Sequence, residues 1–502
     1  NRLRLYPNNL SGNSEREKMD KINYISQSTS LILIISISSV FLFLGISYSK
    51  KYKGLDNYLT ANRSVGFFSL STSLVASALG AWVLFGPASA ATWGGIGAVI
   101  GYALGTAFPM ILLIFLGKKI RREFPKGSTL IEFLKKRFRK SLFKLILVMS
   151  IFYMFVFLCA EVTAIAKLIN YISGVSLWIT ALVILIGTLT YTLYGGLRAS
   201  IFTDNIQLIV VLALFLIAST YLVLFTGDQF SFQYIIKKNP QLLSSSYIPN
   251  YTAGLTFFIA VAATNLFHQG NWQRVYAAKS IKILQKSLLI SFITIIPIVL
   301  FMGFTGLVAI SANPKVIPDL GFFSLLLNDQ TEFLSIVIII LGLSLTISTI
   351  DTLINAISSL VIVDANAILT FVKKTDHLKI SKYFIITLSV ISFIIASKGF
   401  SILYLFLLAD LFCCAFAVTV FYSFYNKKLN EKIAYISIII GLIGGLLLFP
   451  SPDFSSSLLV GITLPTDLFP IFVSQSLLFL SFLVATVAPA IVIMSYDSFK
   501  RR

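Results

Sequence analysis

The chain has 502 residues, of which 57% are hydrophobic and only 12% are charged, and its mean hydropathy is +0.89. This composition excludes an ordinary water-soluble fold, because so few charged side chains cannot cover a solvated surface. The excess of 40 Lys and Arg over 20 Asp and Glu does not indicate nucleic-acid binding, since the basic residues flank apolar runs, where they report orientation in a membrane. We therefore predict an all-α integral membrane protein with the lipid bilayer, and no nucleic acid, as a partner.

Long apolar runs recur along the chain from about residue 30 to about residue 494. A bilayer core about 30 Å thick requires roughly 20 apolar residues per helix, so each run is long enough to cross a membrane. We predict about thirteen transmembrane helices, called spans, at residues 30–48, 67–92, 95–117, 143–171, 177–195, 199–226, 252–272, 284–311, 333–366, 382–397, 401–425, 433–449 and 469–494.

The connections between these spans are too short for a soluble domain. Residues 1–29 are expected to form an extracellular tail, because the first apolar run has membrane length and lacks the cleavage site of a secretory signal. Residues 433–494 are expected to add two peripheral helices, and residues 495–502 a cytoplasmic tail. Function is therefore sought within the helix bundle.

Positive charge is distributed unevenly between the two sides of the predicted bundle. The segment KKIRREFPKGSTLIEFLKKRFRKSLFK, residues 118–144, falls on the same side as most other Lys and Arg. The connections of the opposite side hold Lys237, Lys238, Lys315 and Lys398. The positive-inside rule makes the rich side cytoplasmic. We expect a multi-pass protein of the plasma membrane, or of the inner membrane in a bacterium, with its N-terminus outside and its C-terminus inside.

The second span contains SLSTSLVASALGAWVLFGPASAATWGG, residues 69–95, which is rich in Gly, Ala and Ser and includes Pro87. We expect a broken helix here, and such breaks persist at membrane depth only where the freed backbone groups line a cavity or bind an ion. Close packing of small residues is the alternative explanation.

Two further polar stretches are YTLYGGLRASIFTDNIQ (residues 191–207) and TNLFHQGNWQRVYAAKS (residues 264–280). A cytoplasmic turn explains GGLR but not Asp204, which follows it inside the next span. In the second stretch, Trp272 and Arg274 are expected as anchors at the membrane interface. Ionisable groups inside spans are costly and usually face a partner or a water-filled cavity; they are Glu161, Lys167, Asp204, His268, Asp351 and Asp410.

The ninth span contains LGLSLTISTIDTLINAISSL, residues 341–360. At 100° per residue, one stripe about 120° wide collects Ser344, Ser348, Asp351, Thr352, Asn355, Ser358 and Ser359. Hydrogen bonds between helices are the simplest explanation for any single hydroxyl. An Asp within one turn of paired hydroxyls also suits a small hard cation such as Na⁺, which binds oxygen ligands.

These four stretches, in this order, resemble the sodium/solute symporter family, which includes proline, pantothenate, sugar and urea carriers. The resemblance covers roughly residues 50–430. YGGLRASIFTDNIQ is similar to that family's tyrosine–glycine–glycine to threonine–aspartate–x–x–glutamine signature, and STIDTLINAISSLVIVD to its serine–threonine–x–aspartate–serine helix. NWQRVYAAKS is similar to its glutamine–arginine stretch. The resemblance implies a core of two inverted five-helix repeats, spans two to six (67–226) and seven to eleven (252–425).

The resemblance also implies site residues. A Na⁺ site would use the backbone carbonyls of Ala76, Leu79 and Leu345 and the hydroxyls of Ser348 and Thr349. Asp204 would lie on the ion path toward the inside. Candidate solute contacts are Trp82, Thr264, Asn265 and Gln269, whereas Ala78 departs from the family, many members of which carry Asn or Asp there.

We therefore expect a sodium-coupled secondary active symporter that imports a small polar organic solute by alternating access, and not an enzyme. A proton-coupled carrier or a facilitator of the same fold is the alternative, and it would make the carboxylates essential instead of Ser348 and Thr349. A membrane enzyme or sensor is disfavoured, because His268 and His377 are the only histidines and no paired catalytic groups occur at motif spacing.

The predicted orientation is testable by labelling. A cysteine introduced as Lys126→Cys is expected to resist a membrane-impermeant maleimide in intact cells and to react after permeabilisation, because segment 118–144 lies inside. Lys315→Cys, on the opposite side, should react in intact cells. Ready labelling of Lys126→Cys in intact cells would reverse the assigned topology.

Overall fold

The structure, a computed structural model, describes residues 24–138, 140–327, 332–364, 377–426, 429–452, 456–459 and 476–501. Within these residues all the regular secondary structure is helical, apart from two isolated β-bridges, Val65 with Ala278 and Pro450 with Ser457. The helices are α1 (Gln27–Ser49), α2 (Leu55–Thr60), α3 (Phe67–Ala78), α4 (Gly86–Glu123), α5 (Leu130–Arg137), α6 (Lys140–Ser173), α7 (Leu177–Thr226), α8 (Phe232–Lys238), α9 (Ile248–Phe267), α10 (Gln269–Ala277), α11 (Ile281–Ala312), α12 (Gly321–Leu326), α13 (Glu332–Val363), α14 (His377–Lys398), α15 (Ile402–Tyr422), α16 (Glu431–Leu448) and α17 (Leu477–Arg501). Short 3₁₀ helices lie at Ala61–Arg63, Ala81–Leu84, Gly227–Gln229, Pro240–Leu243 and Pro318–Leu320.

Ten helices of the described chain are long and apolar enough to cross a membrane. Two of them are much longer than a bilayer needs: α4 has 38 residues and α7 has 50, or roughly 57 and 75 Å at 1.5 Å per residue. Each is divided by a glycine with positive φ, Gly95 (60°) in α4 and Gly196 (59°) in α7. This conformation is strained for other residues, so each glycine marks a boundary between two predicted spans.

The predicted count of thirteen spans is not confirmed by these ten helices. The counts differ in three places: α7 contains two predicted spans, the predicted span 67–92 is divided between α3 and the first part of α4, and α9 is not among the ten. The predicted thirteenth span begins at 469, and its first residues lie outside the described chain, as do residues 1–23 of the expected extracellular tail. The count and the boundaries of the two repeats stay predictions.

Both predicted repeats begin with a broken helix. The first break follows α3, where Leu79 leaves the helix with φ −109° and ψ 96°, and a 3₁₀ turn then leads to α4. The second lies at His268 (ψ 106°), between α9 and α10. The expectation of a broken helix in residues 69–95 is therefore confirmed, and the chain has two places where backbone groups are released inside the bundle.

The polar stripe of the ninth span lies in the centre of the bundle. Of the most apolar 18-residue window of α13, 83% of residues are buried, compared with 22% for α7 and 28% for α1. Helix α13 packs against α3, α6, α7 and α14. Its hydroxyls and carboxylate therefore face other helices, while the apolar outer faces of α1 and α7 are left to meet lipid.

Helices α4 and α9 approach each other so closely that their backbones touch. A Cβ on Gly97 would lie 1.7 Å from the carbonyl oxygen of Asn250, and one on Gly101 would lie 2.0 Å from that of Gly254. Small residues that let backbones meet are the usual means of helix association in membranes, where burial of apolar surface gives little driving force.

We expect Gly97→Ala and Gly101→Ala to destabilise the protein although alanine favours helix. The added methyl groups must separate the two helices, and overpacking of this kind costs typically about 1–3 kcal/mol. The thermal unfolding midpoint of purified protein in detergent should therefore fall. Gly66→Ala is the control, since a Cβ there meets nothing within 4 Å, and equal midpoints for all three variants would contradict the close contact.

Candidate functional site

One of the predicted ion ligands, Thr349, faces the break after α3. Thr349 of α13 donates from Oγ1 to the carbonyl of Leu345 at 3.1 Å, and its Oγ1 lies 2.7 Å from the position that a Cβ on Gly80 would take. Ala76, Leu79, Leu345, Ser348 and Thr349 are all buried. Because a helix that ends inside the bundle leaves carbonyls without intrahelical partners, the end of α3 releases backbone oxygens here, and α13 adds the Thr349 hydroxyl from within an unbroken helix.

A carboxylate that the sequence analysis left without a role reaches the same break. Glu161 of α6 is fully buried, and its Oε2 accepts a hydrogen bond from the Ala81 amide at 2.9 Å. Its Oε1 has no hydrogen-bond partner in the described chain and lies closer than Thr349 Oγ1 to the Cβ position of Gly80. A side chain at position 80 would therefore collide with both groups, and a carboxyl oxygen and the Thr349 hydroxyl lie on the same side of Gly80.

Asp204 of α7 is neutralised by Arg274 of α10. The Arg274 Nη2 lies 2.7 Å from Asp204 Oδ2, and both side chains are completely buried. Asp204 also accepts hydrogen bonds from Ser73 (2.5 Å) and Ser348 (2.6 Å). Asp204, the predicted ion-path residue, is thus directly hydrogen-bonded to Ser348, a predicted Na⁺ ligand, and lies within an ion pair.

The interpretation of Trp272 and Arg274 as interfacial anchors was wrong. Both are fully buried; the Trp272 indole donates to the Leu266 carbonyl at 2.7 Å, and Arg274 also contacts Ser73, Gly270 and Thr352. The physical reason is the break at His268, which turns α10 inward against α3 and α13. Local sequence does not show that turn.

Asp351 explains much of the polar stripe on α13. Its carboxylate accepts hydrogen bonds from three hydroxyls of α7: Tyr191 (2.6 Å), Ser200 (2.8 Å) and Thr203 (3.2 Å). The carboxylate thus serves to join α13 to both parts of α7, which meet at Gly196. The hydroxyls of this part of the stripe act as contacts between helices.

A cavity lies beside the first break. Three predicted solute contacts, Trp82, Thr264 and Asn265, line it, together with Ser77 and Ala78 from the last turn of α3. The lining also includes residues for which no role was predicted: Tyr102, Phe157, Val261, His268, Phe406 and Asp410. Because Ala76 and Leu79 flank Ser77 and Ala78 in the chain, the cavity and the predicted ion ligands share one short segment.

Gln269 is not among the cavity-lining residues. Its Oε1 accepts from the Leu130 amide at 3.2 Å, and its Nε2 donates to the Ser128 carbonyl and the Ser359 hydroxyl at 3.1 and 3.3 Å. These contacts tie α10 to the 118–144 segment and to α13. The break at His268 separates Gln269 from Thr264 and Asn265, since these two residues line the cavity and Gln269 does not.

A helical membrane bundle in which broken helices border a buried cavity and an oxygen-rich cluster has the architecture of a secondary transporter. The chain belongs to the Sodium:solute symporter family, whose sequence model matches residues 58–441. This membership confirms the resemblance drawn from the four stretches, and it makes the protein a membrane symporter for small solutes, not an enzyme.

Several characterised transporters are similar in sequence. The chain is 26% identical over 400 residues to the spermidine transporter DUR31 of Candida albicans, covering 79% of this chain and 74% of that protein. It is 26% identical to the sodium/glucose cotransporter of Vibrio parahaemolyticus, covering 55% of this chain and 54% of that protein. It is 27% identical to the sodium/proline symporter of Haemophilus influenzae, covering 50% of this chain and 52% of that protein. The chain thus spans about half the length of the latter two.

Solved structures show the same fold. A Na⁺-coupled sialic acid symporter in a substrate-bound, outward-open state superposes with a TM-score of 0.68 at 17% identity, covering 92% of this chain and 97% of that chain. Mhp1, a nucleobase-cation-symport-1 family transporter, superposes with a TM-score of 0.53 at 14% identity, covering 88% and 96%. These likenesses confirm the predicted all-α symporter fold.

We expect the buried Asp204–Arg274 ion pair to contribute to the stability of the protein. Asp204→Asn should destabilise the protein strongly, because it leaves the Arg274 charge buried without a partner, a loss of about 3–5 kcal/mol. Adding Arg274→Gln removes the second charge and should recover much of the loss. The measurement is the thermal unfolding midpoint of the purified variants; a double variant whose loss equals the sum of the two single losses would show that the pair is not coupled.

Proposed function

We propose that this protein is a Na⁺-coupled secondary active symporter that imports a small polar organic solute by alternating access. One observation carries the proposal: the Thr349 hydroxyl and a free Glu161 oxygen meet beside Gly80, at a helix break whose preceding turn lines the cavity. An ion bound there would contact the segment that also contacts the solute. Ion occupancy and solute occupancy would thereby stabilise the same conformation, as coupling requires.

The proposed Na⁺ ligands are the carbonyls of Ala76, Leu79 and Leu345 and the hydroxyls of Ser348 and Thr349. Oxygen ligands of this kind suit a hard cation. The Ser348 and Thr349 hydroxyls donate their hydrogens to Asp204 and to the Leu345 carbonyl, so each oxygen keeps lone pairs for an ion. Asp204 is proposed to lie on the path by which the ion leaves toward the cytoplasm.

The proposed solute contacts are Trp82, Thr264 and Asn265, which line the cavity. The similar transporters are named for spermidine, glucose, proline and urea, and these names support a small polar solute. Gln269 is not proposed as a contact, since its amide is bound elsewhere.

The proposed location is the plasma membrane, or the inner membrane in a bacterium, with the N-terminus outside and the C-terminus inside. In that orientation the membrane potential and the Na⁺ gradient both act inward. One charge crossing 100 mV releases about 2.3 kcal/mol, and a tenfold Na⁺ gradient adds about 1.4 kcal/mol. A single Na⁺ would therefore support a several-hundredfold solute gradient.

A proton-coupled carrier is the second candidate, and Glu161 is the observation that favours it. A buried carboxylate with one unpartnered oxygen can take up and release a proton as easily as it can bind a metal ion. In that case Glu161→Gln would abolish the coupling of solute transport to protons, whereas removal of the Thr349 hydroxyl would leave that coupling intact.

The test uses Na⁺ binding itself. Na⁺ in place of K⁺ should raise the thermal unfolding midpoint of purified protein, since only a bound ion stabilises the folded state. Thr349→Ala removes one ligand to a desolvated ion, a contact of about 1.5–3 kcal/mol. The Na⁺ concentration for half-maximal stabilisation should therefore rise roughly ten- to hundredfold.

Two control variants accompany this measurement. Thr349→Ser keeps the oxygen and should stay near wild type. Thr346→Val is a matched control on the same helix, because the Thr346 hydroxyl is buried and has no hydrogen-bond partner in the described chain. If Thr349→Ala responds to Na⁺ like wild type, the hydroxyl is a packing contact and the sodium assignment fails.

A further inference from the structure

We infer that the solute is an organic cation, whose ammonium group lies between the Asp410 carboxylate and the aromatic walls of the cavity. This inference rests on the proposed function, because it names the chemical class of the transported solute. It is carried by the chemistry of the cavity lining, which offers oxygen acceptors, aromatic faces and a carboxyl group that forms no ion pair within the described chain.

Asp410 of α15 supplies the carboxyl group. Its side chain lines the cavity and is 5% exposed. Its Oδ1 accepts a hydrogen bond from Thr264 at 2.5 Å, and no Lys, Arg or His of the described chain forms an ion pair with it. A carboxylate at this depth is costly unless a cation compensates it, and a cationic solute provides that compensation when it binds.

The walls of the cavity are aromatic. Trp82 and Tyr102 are stacked, with ring centroids 5.5 Å apart and an interplanar angle of 14°. Phe157 and Phe406 form an edge-to-face pair with centroids 4.6 Å apart. All four rings line the cavity. Aromatic faces attract an organic ammonium ion through their quadrupoles, most strongly where water is excluded.

Three polar side chains of the lining donate hydrogen bonds to protein groups. Ser77 donates to the Leu74 carbonyl, Thr264 to Asp410 and to its own helix, and Asn265 donates from Nδ2 to the Val261 carbonyl. Their oxygens keep lone pairs that face a solute. An ammonium group has only donors, so it can bind to these oxygens and to the Asp410 carboxyl group.

The cavity also lacks a group for a solute carboxylate. No Lys or Arg is among its lining residues. The buried Arg274 is already bound to Asp204, Ser73, Thr352 and the Gly270 carbonyl. An amino acid or another carboxylate solute would thus bring its negative charge near Asp410 without a cationic partner, which disfavours both anions and zwitterions.

The experiment is a ligand-binding panel on the purified full chain in Na⁺ buffer at constant ionic strength. The probes are 1,4-diaminobutane, spermidine and choline, compared with proline, glucose and urea. We expect saturable thermal stabilisation by the cations alone, since only true ligands stabilise the folded state. Choline separates hydrogen bonding by the ammonium group from the attraction of its positive charge. Its quaternary nitrogen has no N–H donor, so this nitrogen interacts only through its charge, with Asp410 and with the aromatic faces. Stabilisation by proline, glucose or urea and not by any cation would overturn the inference.

Variants locate the binding site. Asp410→Asn should raise the dissociation constant of the stabilising cation roughly ten- to hundredfold, because a charged contact is lost, and Trp82→Leu should raise it severalfold. Asp364→Asn is the matched control: Asp364 is fully buried and accepts from Thr129 at 2.6 Å, as Asp410 does from Thr264, but it does not line the cavity. Equal cation affinity in wild type and in both cavity variants would overturn the placement.

The same titrations separate this inference from the proposed function. Stabilisation of wild type by Na⁺ over K⁺ in the absence of solute tests the ion site alone. If Na⁺ does not stabilise the wild type, sodium coupling is rejected, while binding of the organic cation can still be measured. If Asp410→Asn does not fold, Trp82→Leu and the wild-type panel still decide the question. Na⁺ stabilisation together with binding of a neutral solute only would retain the symporter and reject the cationic solute.

Discussion

Backbone groups released at the end of α3 have no bulk water to bind at membrane depth, and the site is arranged around them. Glu161 accepts from the Ala81 amide, and Thr349 of α13 stands against Gly80, where a Cβ would collide with both side chains. Three elements distant in sequence therefore converge on one break. Because the same segment borders the cavity, any ion or solute that binds there acts on the packing of α3, α6 and α13 together.

The buried carboxyl groups differ in their partners. Asp204 has Arg274 and two hydroxyls, and Asp351 has three hydroxyls of α7. Glu161 accepts from the Ala81 amide and Asp410 from Thr264, and neither forms an ion pair within the described chain. The first two join helices to one another, whereas Glu161 at the break and Asp410 in the cavity keep lone pairs that a cation can use.

Much of the architecture was readable from residues alone. The apolar runs, the break in residues 69–95 and the polar stripe on α13 depend on composition and helical spacing, which are local properties. Three of the four predicted solute contacts line the cavity. The error lies near the second break, where Trp272 and Arg274 were expected at the interface and are buried. It came from extending a helix past His268, where the chain changes direction. Gln269, close to the same break, contacts Ser128, Leu130 and Ser359 and does not line the cavity.

The sequence by itself determined that the chain is a helical membrane protein, that the helix in residues 69–95 is broken and which family the chain belongs to, because these depend on hydropathy, small-residue content and the order of short stretches. Only the tertiary structure decided which charged groups are paired. Asp204 meets Arg274 across 70 positions, and Thr264 meets Asp410 across 146. Pairing depends on which helix faces pack together, and in a bundle where every helix is apolar, hydropathy does not distinguish one neighbour from another.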